Sequence, residues 1–202
     1  MGFVSSIAKR RPLLEALALA AGSVPAAAQF SDSYNFLKAV RDRDVTKATE
    51  LAQKAGAPVN ARDYTTGETP LIVVTKGRDL PWLGFLLQNG AKTELKDGQG
   101  NTPLTTAAQI GWIEGARILL QVGASPNLAN NRGETPLILA VQQRDPAMVR
   151  LLLAQGADPK ISDRVAGKSA RDYAAEDNRA AAILKLLDDA KPKAAVTGPV
   201  RP

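Results

Sequence analysis

The chain has 202 residues, with 26 lysines and arginines against 20 acids, and contains neither cysteine nor histidine. Without cysteine there is no disulfide, thiolate nucleophile or thiolate metal site, and without histidine the commonest general base and transition-metal ligand are missing as well. The net charge of +6 raises nucleic-acid binding, but the bases are interspersed with acids, and the densest run, Lys9-Arg10-Arg11, lies in a segment marked for removal.

That segment is residues 1–28. A basic start ending at Lys9-Arg10-Arg11 is followed by an apolar stretch from Leu13 to Val24 and then by Ala26-Ala27-Ala28 before Gln29. These are the three parts of a secretory signal, with cleavage expected between Ala28 and Gln29. The apolar stretch is short of the roughly 20 residues a membrane-crossing helix needs, so the membrane is expected to be involved only during export. Loss of three bases and Glu15 takes the net charge from +6 to +4. The expected address is the periplasm if the source is a Gram-negative bacterium, and otherwise outside the cell. The alternative is an amphipathic helix that stays attached, favoured by Glu15 within the apolar stretch.

Downstream, two markers recur in phase. Thr69-Pro70-Leu71, Thr102-Pro103-Leu104 and Thr135-Pro136-Leu137 are 33 residues apart, and Gly167-Lys168-Ser169-Ala170 is a degenerate further copy. Gly56-Ala57, Gly90-Ala91, Gly123-Ala124 and Gly156-Ala157 keep the same beat. Five units follow, at about 33–62, 63–96, 97–129, 130–162 and 163–190. The first opens with a helix over Tyr34–Val40, places Phe36 where later units have leucine, and continues with a second helix over 45–55. In the second, Thr69 is the expected N-cap and Pro70 occupies a position where a missing N–H costs nothing. Leu71, Val73 and Val74 are expected to face the core, with Leu80, Leu83, Phe85, Leu86 and Leu87 on the second helix. The third and fourth repeat this over Thr102–Ile110 and Ala116–Leu120, then over Thr135–Gln143 and Val149–Leu153, with Asp145 capping Pro146. The fifth pairs Ser169–Glu176 with Arg179–Leu187. Residues 191–202, with three prolines and no apolar periodicity, read as a disordered basic tail.

A period near 33 with a Thr-Pro-Leu turn and two helical stretches resembles the ankyrin repeat. The resemblance covers about Ser33 to Ala190 and implies an all-α repeat solenoid, an array of about five helix-turn-helix units joined by β-hairpin-like finger loops, within a domain spanning 29–190. One family feature is absent. The residue after Thr-Pro-Leu, usually histidine, is Ile72, Thr105, Ile138 and, in the last unit, Asp172, so coupling between units is expected to be weaker.

In the family the fingers and first helices line a concave groove that holds a partner. By position, the residues implied here are Tyr64, Thr65, Glu68, Gln99, Asn101, Gln109, Ile110, Asn131, Arg132, Glu134, Gln142, Gln143, Arg164 and Lys168. Tyr64 and Ile110 would be apolar anchors among amides and mixed charges, the chemistry protein interfaces favour. Trp82 and Trp112 open second helices and are expected to pack on neighbouring units. Asp63, Asp97 and Asp163 recur at the fingers and are expected to accept from local turn N–H groups rather than to bind calcium.

The expected function is therefore non-enzymatic: a monomeric scaffold, stabiliser or inhibitor holding a protein partner, with no catalytic residue, metal, cofactor, small-molecule ligand or nucleic acid. Two alternatives are a carboxylate-based hydrolase, which needs no histidine, and an envelope tether using the tail bases Lys191, Lys193 and Arg201.

Overall fold

The structure is a computed structural model in which residues 26–54 and 56–190 are described. The expected signal up to residue 25 and the tail at 191–202 lie outside the described residues, as does Ala55. Among the described residues ten α-helices form five consecutive pairs: α1 (Ala26–Asp42) with α2 (Val45–Ala52), α3 (Pro70–Lys76) with α4 (Leu80–Gln88), α5 (Pro103–Gln109) with α6 (Ile113–Gln121), α7 (Pro136–Gln142) with α8 (Pro146–Ala154), and α9 (Ala170–Glu176) with α10 (Ala181–Asp188). No β-strand occurs among the described residues; a single antiparallel bridge joins Ser162 to Ser169.

Helices of seven residues do not persist alone in water, so α3, α5, α7 and α9 depend on their caps and their packing. The caps are those the spacing predicts. Thr69 accepts from the Ile72 N–H at 3.3 Å, Thr102 from Thr105 at 3.1 Å, Thr135 from Ile138 at 3.3 Å and Ser169 from Asp172 at 3.3 Å. Thr105 and Asp172 return the favour to the N–H of Thr102 and Ser169, closing reciprocal capping boxes. Asp44, Asp79 and Asp145 cap the second helices α2, α4 and α8. Trp112 stands at the same place before α6 and makes no side-chain cap. Its ring instead lies over Gly115, where a Cβ would come within 2.1 Å of it.

The packing forms two layers. The first helices α1, α3, α5, α7 and α9 stack one on the next, and α4, α6, α8 and α10 do the same behind them. The shared core runs from Phe36 through Leu71, Leu83, Leu104, Leu119, Leu137 and Leu152 to Ile183 and Leu187, all buried. Trp82 and Trp112 are buried in it as expected, and the Trp82 ring meets Phe85 edge to face at 5.4 Å. Leu80 departs from expectation. It is 39 % exposed because it is the first residue of α4, short of the neighbouring second helices. Helix α1 starts eight residues before Tyr34, α2 ends at Ala52 rather than at 55, and α10 starts at Ala181.

The units are tied by more than apolar contact. Arg43, Arg78 and Arg144 all have positive φ, at the turn between first and second helices where the third unit has Gly111. A left-handed conformation costs a side-chain-bearing residue roughly 1–2 kcal/mol. Each of these arginines reaches the next unit: Arg43 pairs with Asp79, Arg78 donates to the Ile110 carbonyl, and Arg144 pairs with Asp177. At the opposite end of the helices, Asn60 donates to the Gly90 carbonyl and accepts from the Lys92 N–H, and Asn127 does the same with Gly156 and Asp158. Where the family carries histidine, Ile72 and Ile138 are fully buried, while Thr105 and Asp172 serve only their own capping boxes.

Leu104→Ala should lower the unfolding free energy by about 2–5 kcal/mol, because a fully buried leucine leaves a cavity between stacked units. Leu80→Ala should cost less than about 1 kcal/mol. Urea unfolding followed by circular dichroism measures both.

Candidate functional site

Each finger begins with a side chain that fills its own turn. Asp63 Oδ1 accepts from the N–H groups of Thr65 at 2.8 Å and Thr66 at 3.0 Å. Asp97 Oδ1 accepts from Gln99 and Asn101, Asn130 Oδ1 from Arg132 and Glu134, and Asp163 Oδ1 from Val165 and Ala166. The role expected for the three aspartates is the observed one, and Asn130 performs it in the third finger.

With those groups satisfied from inside, the fingers bond to one another. The Gly98 N–H donates to the Thr66 carbonyl at 2.8 Å, Asn131 to Gln99 at 3.0 Å and Arg164 to Arg132 at 2.8 Å. Such close approach requires a glycine on the accepting finger: a Cβ would lie 2.7 Å from the Gly98 nitrogen at Gly67, 2.6 Å from the Asn131 nitrogen at Gly100 and 2.6 Å from the Arg164 nitrogen at Gly133. The result is a row of four fingers along the edge of the first-helix layer.

Most of the residues expected to face a partner stand on that row or beside it. Tyr64 is 97 % exposed at the first tip, next to the exposed Thr65. Gln99, Asn131, Arg132 and Arg164 are exposed on the following tips, and Gln109, Gln142 and Gln143 are exposed at the ends of α5 and α7. Val165, beside Arg164, is 68 % exposed. Glu68 is less accessible, held by Lys76 at 2.6 Å and Arg41 at 3.4 Å. Lys168 is half-buried, paired with Glu176 at 2.6 Å and lying 5.8 Å from the centre of the Tyr173 ring.

Three expected groove residues sit elsewhere. Asn101 is buried, donating to Asp97 and accepting from Asn130 of the next finger. Glu134 is buried, accepting from Asn130 at 2.9 Å. Both immediately precede a capping threonine, so they lie at the base of a finger, where Asn101 meets the next finger and Glu134 its own. Ile110 follows α5 and turns back against the core, where its carbonyl takes the Arg78 guanidinium. These residues place the fingers; they do not form an exposed surface.

The sequence reading missed two concavities. One, of about 160 Å³, is apolar and lies between α2 and α4, lined by Val45, Pro81, Trp82 and Phe85. The other, of about 400 Å³, is polar and opens beside α7 and α9, lined by Val141, Gln142, Arg144, Tyr173, Glu176 and Asp177. The Pro81-Trp82 pair with Phe85 three residues on was the available signal for the first. Among the described residues no group of three acids comes together to hold a metal ion.

The electrostatics follow from the turns. Asp63 is pushed down to about 2, chiefly by the Thr66 N–H, then by the Arg41 guanidinium and the Thr65 N–H. For Asp163, burial opposes ionisation. The N–H of Ala166, the Tyr173 hydroxyl at 2.7 Å and the N–H of Val165 outweigh it and hold the carboxyl below the usual range.

Comparison with known families gives a match to the family described as ankyrin repeats, in three overlapping copies at residues 36–130, 71–163 and 123–195, together more than half of the chain. No curated protein matches the chain.

A carboxyl depressed in the folded state stabilises it above the unfolded pKa and loses that stabilisation as the pH falls through the folded one. For Asp63 the window runs from about pH 4 down to about 2. Wild type should therefore lose about 1–2 kcal/mol across it through this group. Asp63→Asn keeps an acceptor for the turn, as Asn130 does, and should flatten that part of the pH dependence in urea titrations at pH 5 and pH 2.5.

Proposed function

The chain belongs to the ankyrin-repeat family, and from that premise we propose that it is a non-enzymatic adaptor holding one protein partner along its fingers and first helices. Ankyrin repeats are generally protein–protein interaction modules. What this chain adds is the state of its finger row. From Thr65 to Gly167, every tip N–H is spent within its own finger or on its neighbour, and what remains accessible is a continuous line of side chains.

That single observation carries the reading. The fingers are braced, because their tip N–H groups are bonded within and between fingers, and they offer an aromatic ring, amides and guanidinium groups, types enriched at protein interfaces. A rigid surface loses little entropy on binding, which favours affinity at a given contact area.

We also propose that residues 1–28 direct export and are removed. The support is the sequence: a basic start, an apolar stretch and small residues at Ala26 and Ala28. Cleavage before Gln29 would shorten α1 by three residues and leave the buried Phe36, Leu37 and Val40 in place.

Two measurements test these readings. Tyr64→Ala/Gln99→Ala/Gln109→Ala changes exposed residues only, so it should unfold like wild type while losing at least tenfold in affinity for the co-purifying partner. Equal affinity would move the site off the finger row. Intact mass of chain recovered from its native compartment should correspond to a start at Gln29; a mass that includes Met1 would overturn the export reading.

A further inference from the structure

The third and fourth fingers place two arginines on adjoining backbones. The Arg132 carbonyl accepts the Arg164 N–H at 2.8 Å, so the two residues occupy facing positions on hydrogen-bonded backbones. Neighbouring backbones bonded in this way run about 5 Å apart. The Arg164 stem lies against Gly133, where a Cβ would be 2.8 Å from its Cγ. Like charges at facing positions repel.

Their own counter-charges are largely committed. Glu134 lies 3.4 Å from Arg132, but it is buried at the finger base and also accepts from Asn130, while Arg132 remains 65 % exposed. Asp163 precedes Arg164, yet Oδ1 is taken by two N–H groups and Oδ2 by the Tyr173 hydroxyl. Arg164 has no ion pair among the described residues. The accessible carboxylates toward the first finger are neutralised: Asp63 by Arg41, and Glu68 by Arg41 and Lys76. The four tips (64–67, 98–100, 131–133 and 164–167) carry two arginines and no acid. Positive charge is therefore concentrated at one end of the row, with the uncharged Tyr64 at the other.

We propose that the partner presents an extended segment whose Asp or Glu carboxylate is clamped between Arg132 and Arg164, with an adjacent apolar side chain against Val165. This rests on the finger-row reading and specifies its chemistry. A guanidinium pair suits a carboxylate through paired N–H donors. A polypeptide is the committed source for two reasons. The backbone N–H groups that a phosphate would seek in such turns are already filled by Asp97, Asn130 and Asp163. The exposed Val165 and Tyr64 also offer apolar contact on the same edge, which an inorganic anion cannot use.

The test pans a random dodecapeptide display library against the full chain. Wild type should enrich peptides with Asp or Glu next to an apolar residue, and binding of a synthesised enriched peptide should fall at least tenfold in Arg132→Glu/Arg164→Glu. Arg132→Lys/Arg164→Lys, which keeps the charge and loses the forked donors, should fall by a smaller factor. Circular dichroism checks that both variants are folded.

Peptides enriched without acids, and lost on Tyr64→Ala, would overturn the carboxylate clamp and leave the finger-row reading standing. Peptides retained by both the Tyr64 and arginine variants would overturn both. Displacement by inorganic phosphate as effective as by the peptide itself, or equal binding of a scrambled peptide of the same charge, would show simple anion attraction and overturn the clamp. So would the absence of any enriched sequence.

Discussion

The finger architecture depends on one constraint: a tight loop exposes backbone N–H groups that must find acceptors. Here a short side chain at the base of each finger supplies them, Asp63, Asp97, Asn130 or Asp163. Once a finger is closed from within, it has an outward carbonyl left for the next finger. The bonds from Gly98 to Thr66, Asn131 to Gln99 and Arg164 to Arg132 are the consequence. A finger lacking its base acceptor would have to turn its N–H groups to water, and the register of its neighbour would go with it.

Apolar burial supplies most of the stabilisation, since surface ion pairs contribute only about 0–1 kcal/mol each. What the polar ties add is register between units. They form three bands: the finger ladder, the left-handed arginines between helices, and Asn60 and Asn127 at the far end. With the buried Ile72 and Ile138, they are the contacts that join units in a sequence without the histidine tie. The third unit lacks the arginine tie: it has Gly111 where its neighbours have arginine and Trp112 where they have a capping aspartate, and it reaches the fourth unit through Asn101, Asn127 and the finger ladder.

This division explains what could be read in advance. Helix starts at Thr69, Thr102, Thr135 and Ser169 were legible because a cap involves residues three apart and nothing else. The role of the finger aspartates was legible for the same reason. The burial of Asn101 and Glu134 was not, because it depends on the side chain of Asn130, about thirty residues away in one case and on the same finger in the other. Ile110 was misplaced because helix ends read as exposed, whereas its carbonyl is drawn to Arg78 and its side chain to the core. The arginine ties left no local sign either: arginine is an unusual choice at positive φ, and only the structure shows what each one reaches.

The same closed backbone constrains how the row could recognise a partner. With the tip N–H groups from Thr65 to Gly167 spent, the fingers offer few main-chain donors, and in the proposed reading selectivity falls to the side chains at Tyr64, Gln99, Asn131, Arg132 and Arg164. Of these, Asn131 also donates to the Gly98 carbonyl and Gln99 accepts from Asn101, whereas Tyr64 and Arg164 are the ones that can differ with least effect on the array. The proposed arginine clamp follows the same logic. Holding two cations on bonded neighbours is unfavourable in the unbound chain, and a carboxylate between them removes that repulsion as well as adding its own hydrogen bonds. The gain on binding then exceeds what either guanidinium would give alone, and it is available only to a ligand that reaches both. The pairing thus discriminates by geometry as well as by charge, which a single exposed arginine on a mobile loop would not.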